Sequence, residues 1–347
     1  MKYLFYVQSH IAFYLALQVK EYLKVNNKDA KFISVRNYKN KYHSINFLDF
    51  SKYYDAMSSP MSLKEAIMAL EEIDLKVNDL CENDNYEFIT HSIAPPVWQF
   101  IATNPKCKKI HLIEDGSSSY HKRSDFYIQK NLPFKKKVIN FFKKLVSNQY
   151  RIYSQRAPGF PIFSTQPLFN DTVYYGIYEE VFPFVPPSQK VIFKQIYKDP
   201  LFPYQPTLDH IKLIIFDATI VEQRSLMNEE EYLNLIFPLL ASINSQDKKI
   251  FYKFHPGQFK HITKQIKDFL DKELHAQELD KDIPVEQIII HNHNLEFYGF
   301  YSTLLFYAKR HGHFVKSFIE GTQHPKLRQY ALDNFNDYFL KEIFKFV

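Results

Sequence analysis

Two adjacent carboxylates stand at the end of an apolar run in the first half of the chain. Glu114 and Asp115 follow Ile110–Ile113 and precede Gly116 and Ser117. If the run is a buried strand, the acids lie at its carboxyl end, where α/β proteins bind ligands. Burial beside a second negative charge tunes a carboxyl group for general-base work. The alternative is a solvated turn, because Asp-Gly is a common turn pair.

A cation and an imidazole occupy a similar position in the second half. Lys253 and His255 come after Lys249–Tyr252, and Pro256 and Gly257 follow them. Side chains two residues apart on a strand share a face, so a fixed positive charge would lie beside a proton donor. That pair suits an anionic leaving group such as phosphate, and with the acids it predicts one active site closed between two domains. The alternative is a partly buried histidine before a turn-forming proline.

Four further polar residues lie where a ligand could be held. Ser302 and Thr303 begin a helical pattern, where hydroxyl groups cap the helix or bind a phosphate together with the first-turn N–H groups. Glu286 could accept hydrogen bonds from a ribose, although a surface glutamate entering a strand is the commoner explanation. Asp217 ends an apolar run and is a second candidate acid, for which a donor contact or a loop cap is the expected role.

Strands and helices must alternate to place these residues, and the hydrophobic pattern predicts that alternation. Helical patterns such as Glu229–Ile243 and Ser302–Arg310 separate the apolar runs, which favours βαβ units and a mostly parallel sheet. A proline-rich stretch over 183–206 reads as a linker between two Rossmann-like halves. The predicted strands are Tyr3–Val7, Lys31–Val35, Glu87–His91, Lys109–Ile113, Lys212–Phe216, Lys249–Phe254, Gln287–His291 and Phe314–Phe318.

Composition excludes several classes of protein. The chain has 347 residues, is 46% hydrophobic and 24% charged, and carries a net charge of +6, which is mild for this length and gives no reason to expect a nucleic-acid partner. Two cysteines favour a reducing compartment, and the first apolar run is too short for a signal peptide. No stretch reaches the ~18 apolar residues of a membrane span. We therefore expect a cytoplasmic protein.

A basic stretch over 130–151 has an apolar stripe at helical spacing, bordered by lysines that include Lys135, Lys136 and Lys137. Such a segment can lie on an anionic membrane surface, such as the inner face of a cytoplasmic membrane, or attract an acidic polymer. An ordinary amphipathic surface helix is the alternative.

In this order, the motifs make the chain resemble bacterial sialyltransferases of the GT-B fold, from glycosyltransferase families 38, 52 and 80. Glu114-Asp115-Gly116-Ser117 resembles their acidic D/E-D/E-G motif, Lys253-Phe254-His255-Pro256-Gly257 their His-Pro motif, and Ser302-Thr303 their hydroxyl pair. Ile283-Pro284-Val285-Glu286 is similar to a family 80 segment whose glutamate holds the donor nucleotide. Residues 120–206 have no counterpart that we recognise.

The resemblance implies an α/β protein with two Rossmann-like domains that face each other across a cleft. Residues 1–200 would bind the acceptor, 207–329 the CMP-sugar donor, and a helix over 330–347 would pack back on the N-terminal domain. The implied enzyme moves sialic acid from CMP-sialic acid to a hydroxyl of a cell-surface glycan, such as lipooligosaccharide or capsular polysaccharide, with inversion. No cofactor and no metal is expected.

The resemblance also implies roles for the candidate residues. One acid of the pair would deprotonate the acceptor, with Glu114 favoured because the first acid usually has that role, although the choice between it and Asp115 stays open. His255 would protonate the leaving phosphate. The implied donor contacts are Ser302 and Thr303 on the phosphate, Lys253 near the nucleotide, Glu286 on the ribose, and the Pro256-Gly257 turn.

Two other functions remain open at this point. The same fold could use CMP-Kdo or another nucleotide sugar in capsule or lipopolysaccharide assembly. A catalytically inactive glycan or nucleotide binder is the second alternative, and the intact acid, histidine and hydroxyl sets argue against it.

Overall fold

The chain divides into two compact units in a computed structural model. The structure describes residues 1–35, 38, 43–56, 63–92, 95–121, 171–203, 210–243, 248–320, 322 and 324–346, so the basic stretch 130–151 lies outside the described residues. The first unit comprises Met1–Ser119 and residues 123–197, and the second comprises Lys198–Val347 together with residues 120–122. The unit boundary therefore falls within the proline-rich stretch.

The first unit is built on a parallel sheet whose described strands run in the order β3-β2-β1-β4-β5-β6-β7. Its strands are β1 Lys2–Val7, β2 Ala30–Ser34, β3 Phe47–Asp49, β4 Tyr86–Thr90, β5 Cys107–Ile113, β6 Val173–Gly176 and β7 Lys190–Ile192. Its helices are α1 His10–Tyr22, α2 Ser51–Ala56, α3 Leu63–Leu80 and α4 Pro96–Ala102. The four residues that end β1 are all fully buried, as expected for a parallel strand covered on both faces.

The second unit has a smaller parallel sheet in the order β10-β9-β8-β11-β12. Its strands are β8 Lys212–Ile215, β9 Ile250–Lys253, β10 Gln277–Glu278, β11 Glu296–Gly299 and β12 Phe314–Ser317. Its helices are α5 Glu229–Ala241, α6 Lys260–Glu273, α7 Val285–His291, α8 Thr303–Arg310 and α9 Pro325–Asn334, with π-helical turns at Thr219–Gln223 and Phe339–Ile343.

Each sheet has one point where the strand order reverses direction. In the first unit the reversal lies between β1 and β4, and in the second it lies between β8 and β11. Parallel sheets bind ligands in the crevice at the carboxyl ends of such strands. The two reversals therefore locate the edge of each unit where functional side chains are expected.

The predicted α/β class with parallel sheets is confirmed, but one predicted strand is wrong. Gln287–His291 belongs to helix α7, which begins after Pro284. A short apolar run does not distinguish a buried strand from a buried helix, and here the proline starts the helix. The strand between β8 and β12 is instead Glu296–Gly299, which pairs with both.

Aromatic residues after α9 pack within the second unit. The rings of Phe335 and Phe339 lie 5.1 Å apart, and Phe339 stacks on Phe306 of α8 at 4.8 Å. Tyr120, close after the acidic motif, packs its ring 4.7 Å from the same Phe306 at a tilt of 56°. The predicted packing of 330–347 on the N-terminal domain, like the predicted cleft, stays a prediction. Among the described residues, no helix is long and apolar enough to cross a membrane.

Candidate active site

Glu114 follows β5 and is fully buried, with 0% exposure. Its N–H donates to the carbonyl of Tyr175 at 3.0 Å, and its Oε2 accepts from the N–H of Ile177 at 2.8 Å. The carboxylate thus holds the segment that leaves β6. In this conformation Glu114 faces the interior of the first unit and leaves no surface for a substrate.

Asp115 presents the more accessible carboxylate of the pair, with 19% of its side chain exposed. Its Oδ2 accepts from Nε2 of Gln8 at 2.9 Å, and its Oδ1 accepts from the hydroxyl of Ser9 at 2.9 Å. Its N–H donates to Oγ of Ser119 at 2.9 Å. Both oxygens are therefore oriented by side chains from the end of β1. Ser9 also caps α1 through the N–H of Ala12.

His91 completes the cluster from the end of β4. Its Nε2 lies 3.1 Å from Nε2 of Gln8 and 3.6 Å from Oδ2 of Asp115. The hydroxyl of Tyr6 donates to Oε1 of Gln8 at 2.7 Å, which turns the amide NH₂ toward Asp115. Behind this network, the ring of Trp98 lies 3.7 Å from that of Tyr6. We call Gln8, Ser9, His91 and Asp115 the acid network.

The acid network spans the reversal point between β1 and β4. Gln8, Ser9 and His91 are not predicted from the sequence as site residues, because each is a single polar residue with no pattern of its own. The available signal was position, since each stands at or just after the end of a predicted strand. Gly116 has a left-handed φ of 64°, which glycine adopts at little cost, and it begins a short 3₁₀ turn over Gly116–Tyr120. The side chain of Ser117 lies outside the described part.

His255 stands exposed just beyond β9 in the second unit. Its Nδ1 accepts from the N–H of Gly257 at 3.0 Å, and its own N–H donates to Oε1 of Gln258 at 3.0 Å. With Nδ1 as an acceptor, the neutral imidazole carries its proton on Nε2. A Cβ at position 257 would stand 3.1 Å from Nδ1, so glycine leaves room for the ring. Pro256 between them is exposed.

Lys253 bonds to the loop before α7, and Glu286 follows that loop. The ammonium of Lys253 donates to the carbonyls of Lys281 at 3.1 Å and Ile283 at 2.5 Å. Lys253 thus directs its charge to this loop. Glu286 lies in the first turn of α7 with 9% exposure, so it is neither on a strand nor on the surface.

Asp217 ties together the loops at the second reversal point. Its Oδ1 accepts from the N–H of Thr219 at 3.0 Å, and its Oδ2 accepts from the N–H of Tyr301 at 3.1 Å. The next residue, Ser302, caps α8 by accepting from the N–H of Leu304 at 3.3 Å. Thr303 is buried in the first turn of that helix. Asp217 is therefore a loop cap that positions the start of α8.

The second edge thus gathers His255, Asp217 and Ser302 after three neighbouring strands, β9, β8 and β11. His255 offers a proton, and the start of α8 offers a hydroxyl and N–H groups, which together suit an anion. Over the described ranges, no group of three or more His, Cys, Asp and Glu side chains is placed to hold a metal ion.

The two parallel α/β units carry ionisable side chains at the carboxyl edges of their sheets, which is where proteins of this class bind ligands. The family model for alpha-2,8-polysialyltransferase (POLYST) matches residues 17–316, most of the chain. The chain therefore belongs to the alpha-2,8-polysialyltransferase family and is a glycosyltransferase of the sialyltransferase class. No curated protein matches it in sequence.

Several solved structures are similar to the chain. One is a UDP-GlcNAc 2-epimerase from Methanocaldococcus jannaschii in complex with UDP-GlcNAc and UDP. The match covers 99% of this chain and 87% of the epimerase chain, with 9% identity and a TM-score of 0.48. Another is the GT-B domain of a sialyltransferase from Photobacterium damselae. The match covers 96% of this chain and 97% of that domain, with 14% identity and a TM-score of 0.42.

Proposed function

We propose that the protein is an inverting sialyltransferase that uses CMP-sialic acid as donor. The acceptor would be a hydroxyl of a cell-surface glycan, in lipooligosaccharide or capsular polysaccharide. The name of the family supports a sialic acid residue as the acceptor and an α2,8 linkage. The observation that carries the proposal is the exposed imidazole of His255 just beyond β9, whose Nδ1 accepts from the N–H of Gly257, so that the neutral ring carries its proton on Nε2.

The donor would bind at the edge of the second unit. Nε2 of His255 would donate to the phosphate as the sugar departs, and the start of α8 at Ser302 and Thr303 would hold the same group. Glu286 would accept from the ribose. Lys253 would act indirectly, because its bonds to Lys281 and Ile283 fix the loop that carries Glu286.

The acceptor's base would come from the acid pair. The resemblance favours Glu114, but its burial and its bond to Ile177 support Asp115 as the acid that can touch an acceptor. We therefore propose that Asp115 removes the proton and that Glu114 positions the loop after β6. Attack on the face opposite the phosphate inverts the anomeric centre.

Charge placement rather than covalent chemistry would lower the barrier. Sialyl transfer passes through an oxocarbenium-like state, which preorganised polar groups stabilise. The leaving group is a phosphate monoester on one nucleotide, which a histidine can neutralise. We propose that no metal is needed, and turnover in EDTA should then equal turnover in buffer alone.

Donor choice separates this function from its alternatives. The protein would be incubated with an oligosialic acid acceptor and either CMP-sialic acid or CMP-Kdo, and products would be measured by mass spectrometry. Transfer from CMP-sialic acid supports the proposal, and transfer from CMP-Kdo alone replaces it. Binding of CMP-sialic acid without transfer or donor hydrolysis would identify an inactive binder.

The role of His255 is tested by one variant and its control. His255→Ala should lose most turnover, by about 10²–10⁴-fold, because a positioned acid contributes on that scale. His293→Ala removes another exposed histidine of the second unit and should retain turnover. Full activity in His255→Ala would remove the leaving-group assignment.

Membrane attachment through 130–151 stays a prediction. Reversing the charges of Lys135, Lys136 and Lys137 should weaken binding to anionic vesicles, and unchanged binding would favour the ordinary surface helix.

A further inference from the structure

A group of polar side chains beside the proposed phosphate site has no role so far. Tyr301, held by Asp217, packs its ring 5.1 Å from Tyr330 of α9 and 5.7 Å from Phe335. His121 forms a β-bridge to Phe335, and their rings lie 5.0 Å apart. Arg224 stands just after the π-helical turn Thr219–Gln223, and its side chain is hydrogen-bonded to Tyr330.

Arg224 lies close to both His121 and Tyr330. Burial raises the pKa of Tyr330, and a hydrogen bond from Arg224 offsets part of that rise. Burial, followed by the charge of Arg224, lowers the pKa of His121 to about 4. The imidazole is therefore neutral near pH 7 and can donate one hydrogen bond. The guanidinium is exposed and forms no ion pair with a carboxylate in the part of the chain that the structure describes.

His121 has an unused polar atom. The residue is 8% exposed, and its Nε2 has no hydrogen-bond partner among the described residues. A buried polar atom that stays unpaired destabilises the folded protein, because it has lost its hydrogen bonds to water. A ligand that accepts from Nε2 would remove this destabilisation.

The position of the cluster indicates its ligand. Asp217 accepts from the N–H of Thr219, which begins the turn that leads to Arg224. It also accepts from the N–H of Tyr301, the residue before Ser302. The cluster therefore lies at the same reversal point as the proposed phosphate site. The donor has a second anionic group, the carboxylate of sialic acid. The planar fork of arginine matches a carboxylate with two parallel hydrogen bonds.

We propose that Arg224, with His121 and Tyr330 beside it, binds the carboxylate of the sialic acid in the donor. This inference rests on the proposed function and deepens it, because the carboxylate distinguishes sialic acid from neutral sugars. The phosphate stays with His255 and the start of α8.

The test compares two ligands that differ in the sugar. Calorimetry without acceptor would measure the Kd of CMP and of CMP-sialic acid separately. Arg224→Gln should raise the Kd of CMP-sialic acid by at least about tenfold and leave the Kd of CMP unchanged, since a bond to a charged group is lost. Arg224→Lys should raise the Kd of CMP-sialic acid less, because lysine keeps the charge but lacks the planar guanidinium. His121→Phe should also raise the Kd of CMP-sialic acid and not that of CMP.

Arg328→Gln is the matched control, because it removes the same charge from the same unit. The guanidinium of Arg328 lies over the ring of Phe346 at 4.4 Å. It should change neither Kd, and thermal melting confirms that each variant is folded. An equal loss for both ligands in Arg224→Gln would assign Arg224 to the phosphate, and no loss would remove the site. Failure of the donor assignment is distinct, since the unaltered protein would then not bind CMP-sialic acid, and failure of catalysis alone would leave both Kd values measurable.

Discussion

The carboxyl edges of the two sheets are organised in different ways. In the first unit, side chains from the ends of β1, β4 and β5 bond to one another around Asp115. In the second unit, side chains bond mainly to backbone groups, as Asp217 does to two N–H groups and His255 to Gly257. The first arrangement orients a carboxylate. The second fixes the shape of loops that present hydrogen-bond donors at the edge of the sheet.

This difference matches the chemistry of the two halves of a transfer reaction. A general base must be held in one orientation, which a network of side chains does well. A site for an anionic donor substrate needs backbone N–H groups and a proton donor, which a helix start and a histidine provide. The comparison can be tested because each arrangement predicts a different loss on substitution.

Removal of the base should have the largest effect. Asp115→Asn should lower turnover by about 10²–10⁴-fold, because the amide cannot accept the proton. Glu114→Gln is the matched variant, since its amide oxygen can still accept from Ile177 and most turnover should remain. Steady-state transfer rates measure both, and the opposite ranking would assign the base to Glu114.

Removal of the loop cap in the second unit should reduce stability. Asp217→Ala leaves the N–H groups of Thr219 and Tyr301 without their acceptor, which should lower the free energy of unfolding by ~1–3 kcal/mol. Urea unfolding measures the change. Ser302→Ala, which removes an N-cap, should cost about 1 kcal/mol. An unchanged midpoint for Asp217→Ala would contradict the contrast between the two edges.

Removal of one network donor should have a smaller effect on rate. Gln8→Met keeps the length of the side chain but removes the bond to Asp115, so turnover should fall about tenfold. Gln18→Met is the control, because it removes a bond to the carbonyl of Gln195 outside the acid network. Unchanged turnover in Gln8→Met would show that this bond is not needed to orient the base.

The smallest effect should come from crowding His255. Gly257→Ala places a Cβ 3.1 Å from Nδ1, so the ring must move by a few tenths of an ångström. We expect turnover to fall by several-fold and the free energy of unfolding to change by less than ~0.5 kcal/mol. Donor hydrolysis without acceptor isolates this step. Unaltered hydrolysis would show that the position of the ring is not critical.

The sequence predicted those parts of the fold that depend on strong local patterns. The strands with long apolar runs, such as β1 and β5, were found within a residue or two. The three-residue strands β3 and β7 were missed, because so short a segment acquires its structure from its neighbours in the sheet. The error at α7 has the same origin, since Ile288-Ile289-Ile290 is compatible with either a helix or a strand.

The candidate site shows the same division. Local motifs revealed the acid pair and the His-Pro turn, but motif order ranked Glu114 above Asp115. Burial distinguishes the two acids, and burial depends on β6, which lies about sixty residues later in the chain. The partners of Asp115 likewise come from positions 8, 9 and 91, which sequence spacing does not connect.

The stacking of Trp98 on Tyr6 gives the first unit its own optical reporter. Trp98 is the single tryptophan of the chain, and the Tyr6 hydroxyl beside it is bonded to Gln8 of the acid network. Intrinsic fluorescence excited at the indole band therefore originates in this unit alone. Under the proposed function, an acceptor that displaces Gln8 should change the emission of Trp98, and this change would report acceptor binding without a label.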